Sequence, residues 1–230
     1  MLASGNFVRI SVIIPIKDES AEAAGRFRQF SGREDAEILV AAGGARKETV
    51  LAFEALGAAA HECAGSRGSR LADVAGRARG DVLLFLHADS RAPDGALDIL
   101  RRAVESGASA GAFSLAYEGA TPPLRWIAWW ANLRSRVLKL PYGDQGVFCT
   151  REAYDRTGGF RDLPVCDDLD IVRRLKRAGP FVVLPEKTFT SPRRYLRSGP
   201  LRQVLRNWRV LAGYYLGVSP AKLERWYRGE

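Results

Sequence analysis

Apolar and polar positions follow two regimes along this chain. In the first half the apolar runs Phe7 to Ile14, Glu37 to Ala42, Ala59 to Cys63 and Val82 to Leu86 read as short buried strands. Between them lie the helix-like stretches Ala21 to Phe30, Arg46 to Leu56 and Ser69 to Ala78. Pro15 is expected to end the first strand, Gly43-Gly44 the second, and Gly57 the helix after it. Strands alternating with helices predict βαβ units and a mainly parallel sheet. Open sheets of this kind keep ligands at the carboxyl ends of their strands, which puts candidate groups after Pro15, after Ala42 and at His87 to Asp89.

The second half is less regular. Ala110 to Tyr117 predicts a strand, and Pro122-Pro123 opens a helix in which Trp126, Trp130, Leu133, Val137 and Leu140 recur at three- and four-residue steps. That stripe reads as core. A strand from Gly146 to Thr150 follows the loop Tyr142 to Gly146, and a short helix leads to Gly158-Gly159-Phe160. Asp167-Asp168-Leu169-Asp170 then opens a helix that runs to Gly179-Pro180. A final amphipathic helix carries Leu201, Val204, Leu205, Trp208, Leu211 and Tyr215 on one face and Arg202, Arg206 and Arg209 on another.

With 230 residues, 47% of them hydrophobic, the chain is sized for one domain with a continuous core. No apolar run approaches the roughly 18–20 residues that cross a bilayer, and no export signal is visible, so a cytoplasmic location is expected. Cys63, Cys149 and Cys166 are odd in number and lack zinc-ligand spacing, which points to reduced thiols. A net charge of +9, concentrated in the second half, calls for an anionic partner. No nucleic-acid-binding motif accompanies it, so nucleic acid is not expected. The basic, tryptophan-bearing helices leave peripheral membrane contact on the cytoplasmic face open.

Candidate chemistry centres on His87-Ala88-Asp89. A carboxylate leaving a buried strand, with a metal-capable imidazole two residues earlier, suits a divalent cation and through it a diphosphate. The competing reading has Asp89 and Ser90 cap a helix opened by Pro93 and Asp94. Asp167, Asp168 and Asp170 are likewise ordinary first-turn acids of a helix, Gly143-Asp144-Gln145 an ordinary turn, and Arg193 and Arg194 ordinary surface charges.

Four elements occur in a specific order: Ser11-Val-Ile-Ile-Pro15-Ile-Lys-Asp18-Glu19, His87-Ala-Asp89, Gly143-Asp144-Gln145-Gly146, and Gly158-Gly159-Phe160 followed by Asp167-Asp168. Together they resemble the family-2 glycosyltransferases of GT-A fold, and more narrowly the small bacterial radical-SAM/selenodomain-associated, arsenosugar-biosynthesis type. A tail like Thr190-Ser191-Pro192-Arg193-Arg194-Tyr195 belongs to the same resemblance, which covers nearly the whole chain. It implies a single α/β GT-A domain, Rossmann-like with helices on both faces. About 7–115 would form the nucleotide-sugar half, and about 116–230 the acceptor half with the C-terminal helices.

Residue by residue, the resemblance implies that Pro15, Asp18, Glu19, Arg67, His87, Asp89, Arg193 and Arg194 contact the donor. Asp89 and His87 would hold Mn²⁺ or Mg²⁺. Asp168, paired with Asp167 in the "ED" position, would be the general base of an inverting transfer, and Gly143, Asp144 and Gln145 would face the acceptor, a small molecule or lipid. The chain also departs from the family. Ala42 stands where relatives carry the Asp that contacts the nucleotide, His87 replaces a first Asp, and only Arg67 survives of a longer segment before the fourth strand. These changes imply an altered donor pocket in a metal-dependent transferase. The alternative is a scaffold of the same fold that binds or assembles without catalysing.

Overall fold

A computed structural model describes residues 8–229. Its centre is β1 (Ile10–Ile16), whose alternating side chains feed two separate cores: Val12, Ile14 and Ile16 enter one, and Ile13 the other. A strand buried on both faces needs apolar residues at nearly every position, and ISVIIPI supplies them. Around it lie β2 (Ala36–Ala42), β3 (Ala59–Glu62), β4 (Val82–Phe85), β5 (Ser90–Arg91), β6 (Ala110–Tyr117), β7 (Val147–Thr150) and β8 (Phe181–Thr190). They form one sheet in the order β3-β2-β1-β4-β7-β6-β8-β5. The β3-β2-β1-β4 block and the β6/β8 pair are parallel; β7 runs antiparallel to both neighbours, and β5 antiparallel to β8.

That order forces a curl. β4 and β5 are separated by four inter-strand spacings, about 19 Å in a flat sheet at roughly 4.8 Å each. Five residue steps from Phe85 to Ser90 reach at most about 18 Å. The sheet therefore bends around His87-Ala88-Asp89, and the segment is tied at its far end by Ser191 N–H donating to the Asp89 carbonyl (3.0 Å) and by Ser90 Oγ to Thr190 Oγ1 (3.0 Å).

The helices are α1 (Lys47–Glu54), α2 (Arg67–Arg77), α3 (Ala96–Glu105), α4 (Pro122–Leu138), α5 (Arg151–Thr157), α6 (Asp167–Ala178), α7 (Arg193–Ser198), α8 (Pro200–Tyr215) and α9 (Pro220–Arg228). Most predicted elements stand within a few residues of their expected bounds; Phe7 lies outside the described residues. Pro15 sits inside β1 rather than ending it. The ladder to β4 stops at Ile13, so the missing N–H interrupts nothing there. Ala21–Phe30 winds as 3-10 turns, with Ala24, Phe27 and Phe30 buried at the three-residue period that such turns align. Asp89 and Ser90 do not cap α3, which starts after Gly95.

The largest correction concerns α4. Trp126, Trp130, Leu133 and Val137, read from sequence as a core stripe, are all exposed, Trp126 by 61%. Leu124, Ala128 and Ser135 face inward instead, and the Asn132 amide clamps the backbone of Leu115 on β6, accepting from its N–H (2.6 Å) and donating to its carbonyl (3.0 Å). Small and polar residues on this face let the helix lie close against the strand. Periodicity reveals an apolar stripe but not which side of the helix meets the sheet.

Candidate functional site

A cavity of about 410 Å³ opens beyond the carboxyl ends of β1 and β4. Asp18 follows β1, His87 and Asp89 follow β4, Arg67 opens α2, Asp168 opens α6, and Asp144 lies in the short 3-10 turn Gly143–Gln145. Arg194 of α7 and residues of α8 and α9 close the other side.

Arg67 is the hub. Its Nε lies 2.9 and 3.1 Å from the two carboxylate oxygens of Asp167, and Nη2 lies 2.5 Å from Oδ1. Asp167 is 1% exposed. Burial works against the charge of Arg67, but Asp167 and then Asp168 outweigh it and raise its pKa, so the guanidinium stays protonated. Arg67 Nη1 also stands 3.4 Å from His87 Nε2. Burial pushes the His87 pKa down to about 4; the Arg67 charge adds to this, and Asp89 opposes it. The imidazole is therefore neutral near pH 7, and its Nε2 can accept from Arg67.

Asp168 is held by two backbone donors: Gly143 N–H to Oδ2 (2.7 Å) and Leu169 N–H to Oδ1 (2.8 Å). The chain enters α6 through Cys166 at φ 60°, a left-handed turn that a side-chain-bearing residue rarely adopts. Gly143 has no side chain, and one would crowd the site. A Cβ there would lie 2.6 Å from His87 Nε2 and 3.2 Å from Asp168 Oδ2. Asp144 is the least satisfied acid of the site. Its Oδ1 is buried without a hydrogen-bond partner, and burial raises its pKa to about 6, opposed by Arg134 and reinforced by Asp168 and Asp89.

Of the residues singled out from sequence, Asp18, Arg67, His87, Asp89, Asp144, Asp168 and Arg194 share the main cavity. Pro15, Gly143 and Asp167 border a recess of about 20 Å³ that also touches Arg67, His87 and Asp168. Glu19, Arg193 and Gln145 line neither. Glu19 accepts from the Lys17 N–H (2.7 Å), and Arg193 reaches Asp89 at 3.7 Å. Gln145 is fully buried: its Oε1 accepts from Ser135 (2.8 Å) and Tyr142 N–H (3.2 Å), and its Nε2 donates to the Phe113 carbonyl (3.0 Å), which makes it an anchor of the turn.

Sequence reasoning missed Lys17, Tyr117, Tyr195 and Asn207 on the cavity wall. The available signal was Gln203 and Asn207, polar residues one turn apart on α8; Gln203 is buried and both face the cavity. Ala42 is 1% exposed within the β1–β2 core and does not reach the cavity. The acid at that end of the sheet is Glu62, register partner of Ala42 on β3, which accepts from the Gly44 N–H at 2.7 Å.

Among the described residues no group of three or more His, Cys, Asp or Glu side chains converges as a metal cluster. Asp89 fits a hard cation that takes most of its oxygens from a bound diphosphate, since such ions need only one or two protein carboxylates. His87 fits less well, because its Nε2 already faces a guanidinium.

No protein-family model matches the chain, and no curated protein matches it. Solved structures do. The mannosyltransferase PcManGT from Pyrobaculum calidifontis, in complex with GDP-Man and Mn²⁺, aligns over 88% of this chain with a TM-score of 0.63 and 16% identity. TarS 1–349 of S. aureus, in complex with UDP-GlcNAc, aligns over 80% with a TM-score of 0.60 and 13% identity. This chain spans 61% and 58% of those two chains. The fold is GT-A-like, a mixed α/β domain with a curled sheet.

Proposed function

We propose that this chain transfers a glycosyl group from a nucleotide-diphosphate sugar to an acceptor hydroxyl with inversion, as a family-2 glycosyltransferase. One observation carries the reading: a carboxylate fixed by two backbone N–H groups, Asp168, shares a cavity with Asp89, Arg67, Arg194 and an acid lacking a partner, Asp144. GT-A-like architecture puts that cavity where open α/β sheets bind nucleotides.

In this reading Asp168 accepts the proton of the acceptor hydroxyl as its oxygen attacks the anomeric carbon from the face opposite the leaving group. The bond from that carbon to the diphosphate oxygen breaks, and its electron pair leaves with the diphosphate. Arg67 and Arg194 face the developing charge, and guanidinium groups suit such oxygens. Asp89 would hold Mn²⁺ or Mg²⁺ jointly with the donor phosphates; a cation there lowers the cost of the departing charge. Asp144 Oδ1 accepts from a sugar or acceptor hydroxyl.

A scaffold that binds or assembles without catalysing is the weaker reading, since it gives the backbone-held carboxylate of Asp168 no proton to accept. The deciding measurement is a panel of nucleotide sugars, tested for thermal stabilisation with and without Mn²⁺ and then for sugar release or transfer. Stabilisation by at least one donor and its loss in Asp89→Ala are expected. No stabilisation by any donor would remove the proposal.

A further inference from the structure

Every large apolar side chain that stands exposed among the described residues, Leu51 excepted, belongs to α4, α7 or α8 or to Leu216 at the end of α8. On α4 these are the outward Trp126, Trp129, Trp130, Leu133, Val137 and Leu138; the three indoles pack edge to face on one another, with centroids 5.1 and 5.9 Å apart. On α8 they are Leu201, Leu205, Trp208 (64% exposed) and Tyr215. Both helices already have a buried face, so the outward stripes are surplus to the core. The two regions adjoin, because Tyr195 of α7 meets Tyr117 edge to face (5.3 Å) and packs with Leu124 and Ala128 of α4.

Charge is segregated onto the same segments. Residues 119–143 and 187–223 contain no Asp or Glu but carry twelve Lys and Arg; the rest of the chain sets 23 Lys and Arg against 26 Asp and Glu. The whole positive excess resides there. Among the described residues only Arg193 of the twelve meets a carboxylate within 4.0 Å.

We infer that α4, α7 and α8 form a docking face for an anionic lipid bilayer. Indoles and leucines rimmed by arginine match the interfacial zone of a membrane, which takes apolar and aromatic groups together and attracts cations to its headgroups. A second copy of this chain would oppose like charges across the contact. Nucleic acid would satisfy the arginines and indoles but leave Leu133, Val137, Leu201 and Leu205 without an apolar partner. Because the opposite face of α8 carries Gln203, Asn207 and Val210 into the cavity, docking brings the cavity beside the headgroups.

Flotation with extruded vesicles tests this, using phosphatidylcholine alone and phosphatidylcholine mixed with phosphatidylglycerol. Four of the five tryptophans lie on the proposed face, so quenching of the intrinsic fluorescence by brominated acyl chains reports insertion without any substitution. The protein is expected to float with the phosphatidylglycerol vesicles, to be quenched there, and to release at high salt. Trp126→Ser with Trp208→Ser should retain the melting temperature and lower partitioning by roughly tenfold or more. Failure to float with the anionic vesicles, or equal flotation with both compositions, would overturn the inference. So would a concentration-dependent dimer in sedimentation that the double variant abolishes.

Discussion

Arg67 and Asp167, a hundred residues apart in sequence, form a bidentate ion pair that joins the start of α2 to the start of α6. The pair fixes Arg67 beside both His87 and Asp168, so one guanidinium is shared by three site residues.

Removing Arg67, which leaves the buried Asp167 carboxylate without its partner, is therefore expected to hurt stability and site geometry together. Removing one partner of a buried pair costs about 3–5 kcal/mol; with Arg67 a quarter exposed, Arg67→Ala should fall at about 2–4 kcal/mol. Urea unfolding measures it. A variant as stable as the parent would show that Asp167 finds another partner or a proton.

Asp168→Asn keeps an acceptor oxygen for the Gly143 N–H but cannot take a proton. A general base contributes roughly 10²–10⁴ in rate, whereas the two backbone hydrogen bonds matter to stability at about 1–3 kcal/mol each. Transfer should drop at least about a hundredfold, with donor binding retained by calorimetry. Near-normal turnover would exclude Asp168 as the base.

Asp144 makes a prediction about pH. Its folded pKa is raised from the ordinary 3.8 to about 6, chiefly by burial, so the folded state holds this proton more tightly than the unfolded chain. The associated stability is fully present below pH 3.8 and is lost as pH rises to about 6. Asp144→Asn should therefore gain melting temperature over the parent progressively across that window and hold the gain above it. If Asp144 also binds a hydroxyl of donor or acceptor, the same variant should raise KM. A Tm difference that does not change with pH would contradict the raised pKa.

Gly143→Ala tests the close approach of the turn to His87 and Asp168. The added methyl has backbone freedom but meets His87 Nε2 at 2.6 Å, so the ring or the turn must shift. A misplacement on the order of 1 Å at such a site costs roughly a hundredfold in rate. The expected signature is lost activity with a small change in melting temperature, read side by side on one preparation.

Ala42→Asp, which puts a carboxylate where the resemblance implies a nucleotide-facing one, is expected to destabilise. The side chain enters the β1–β2 core, where an unpaired carboxylate costs several kcal/mol or takes up a proton. Tighter binding of uridine nucleotides by a stable variant would show that the residue reaches the cavity after all.

Much of this arrangement is legible in the sequence because it is local. Apolar run length marks β1, β2, β4 and β6, and the acids of Asp167-Asp168-Leu169-Asp170 mark the start of α6. The site residues at strand ends follow from topology. What could not be read is what depends on distant partners. Nothing in Gly143-Asp144-Gln145 says that Gln145 turns inward to Ser135 and Phe113 while Asp144 turns to the cavity. Nor does the α4 stripe say that Leu124 and Ala128, rather than the tryptophans, meet the sheet. The two-residue β5 is too short for any periodicity.

The bend of the sheet around His87-Ala88-Asp89 sets a length, not a composition. With Phe85 paired in β4 and Ser90 in β5, one residue more between them would slacken the strap and one fewer would pull the two strands out of register. Side chains on the strap carry no such duty. An imidazole can thus stand on the strap as readily as a carboxylate without disturbing the frame, so groups on this segment are free to be exchanged while its span is held.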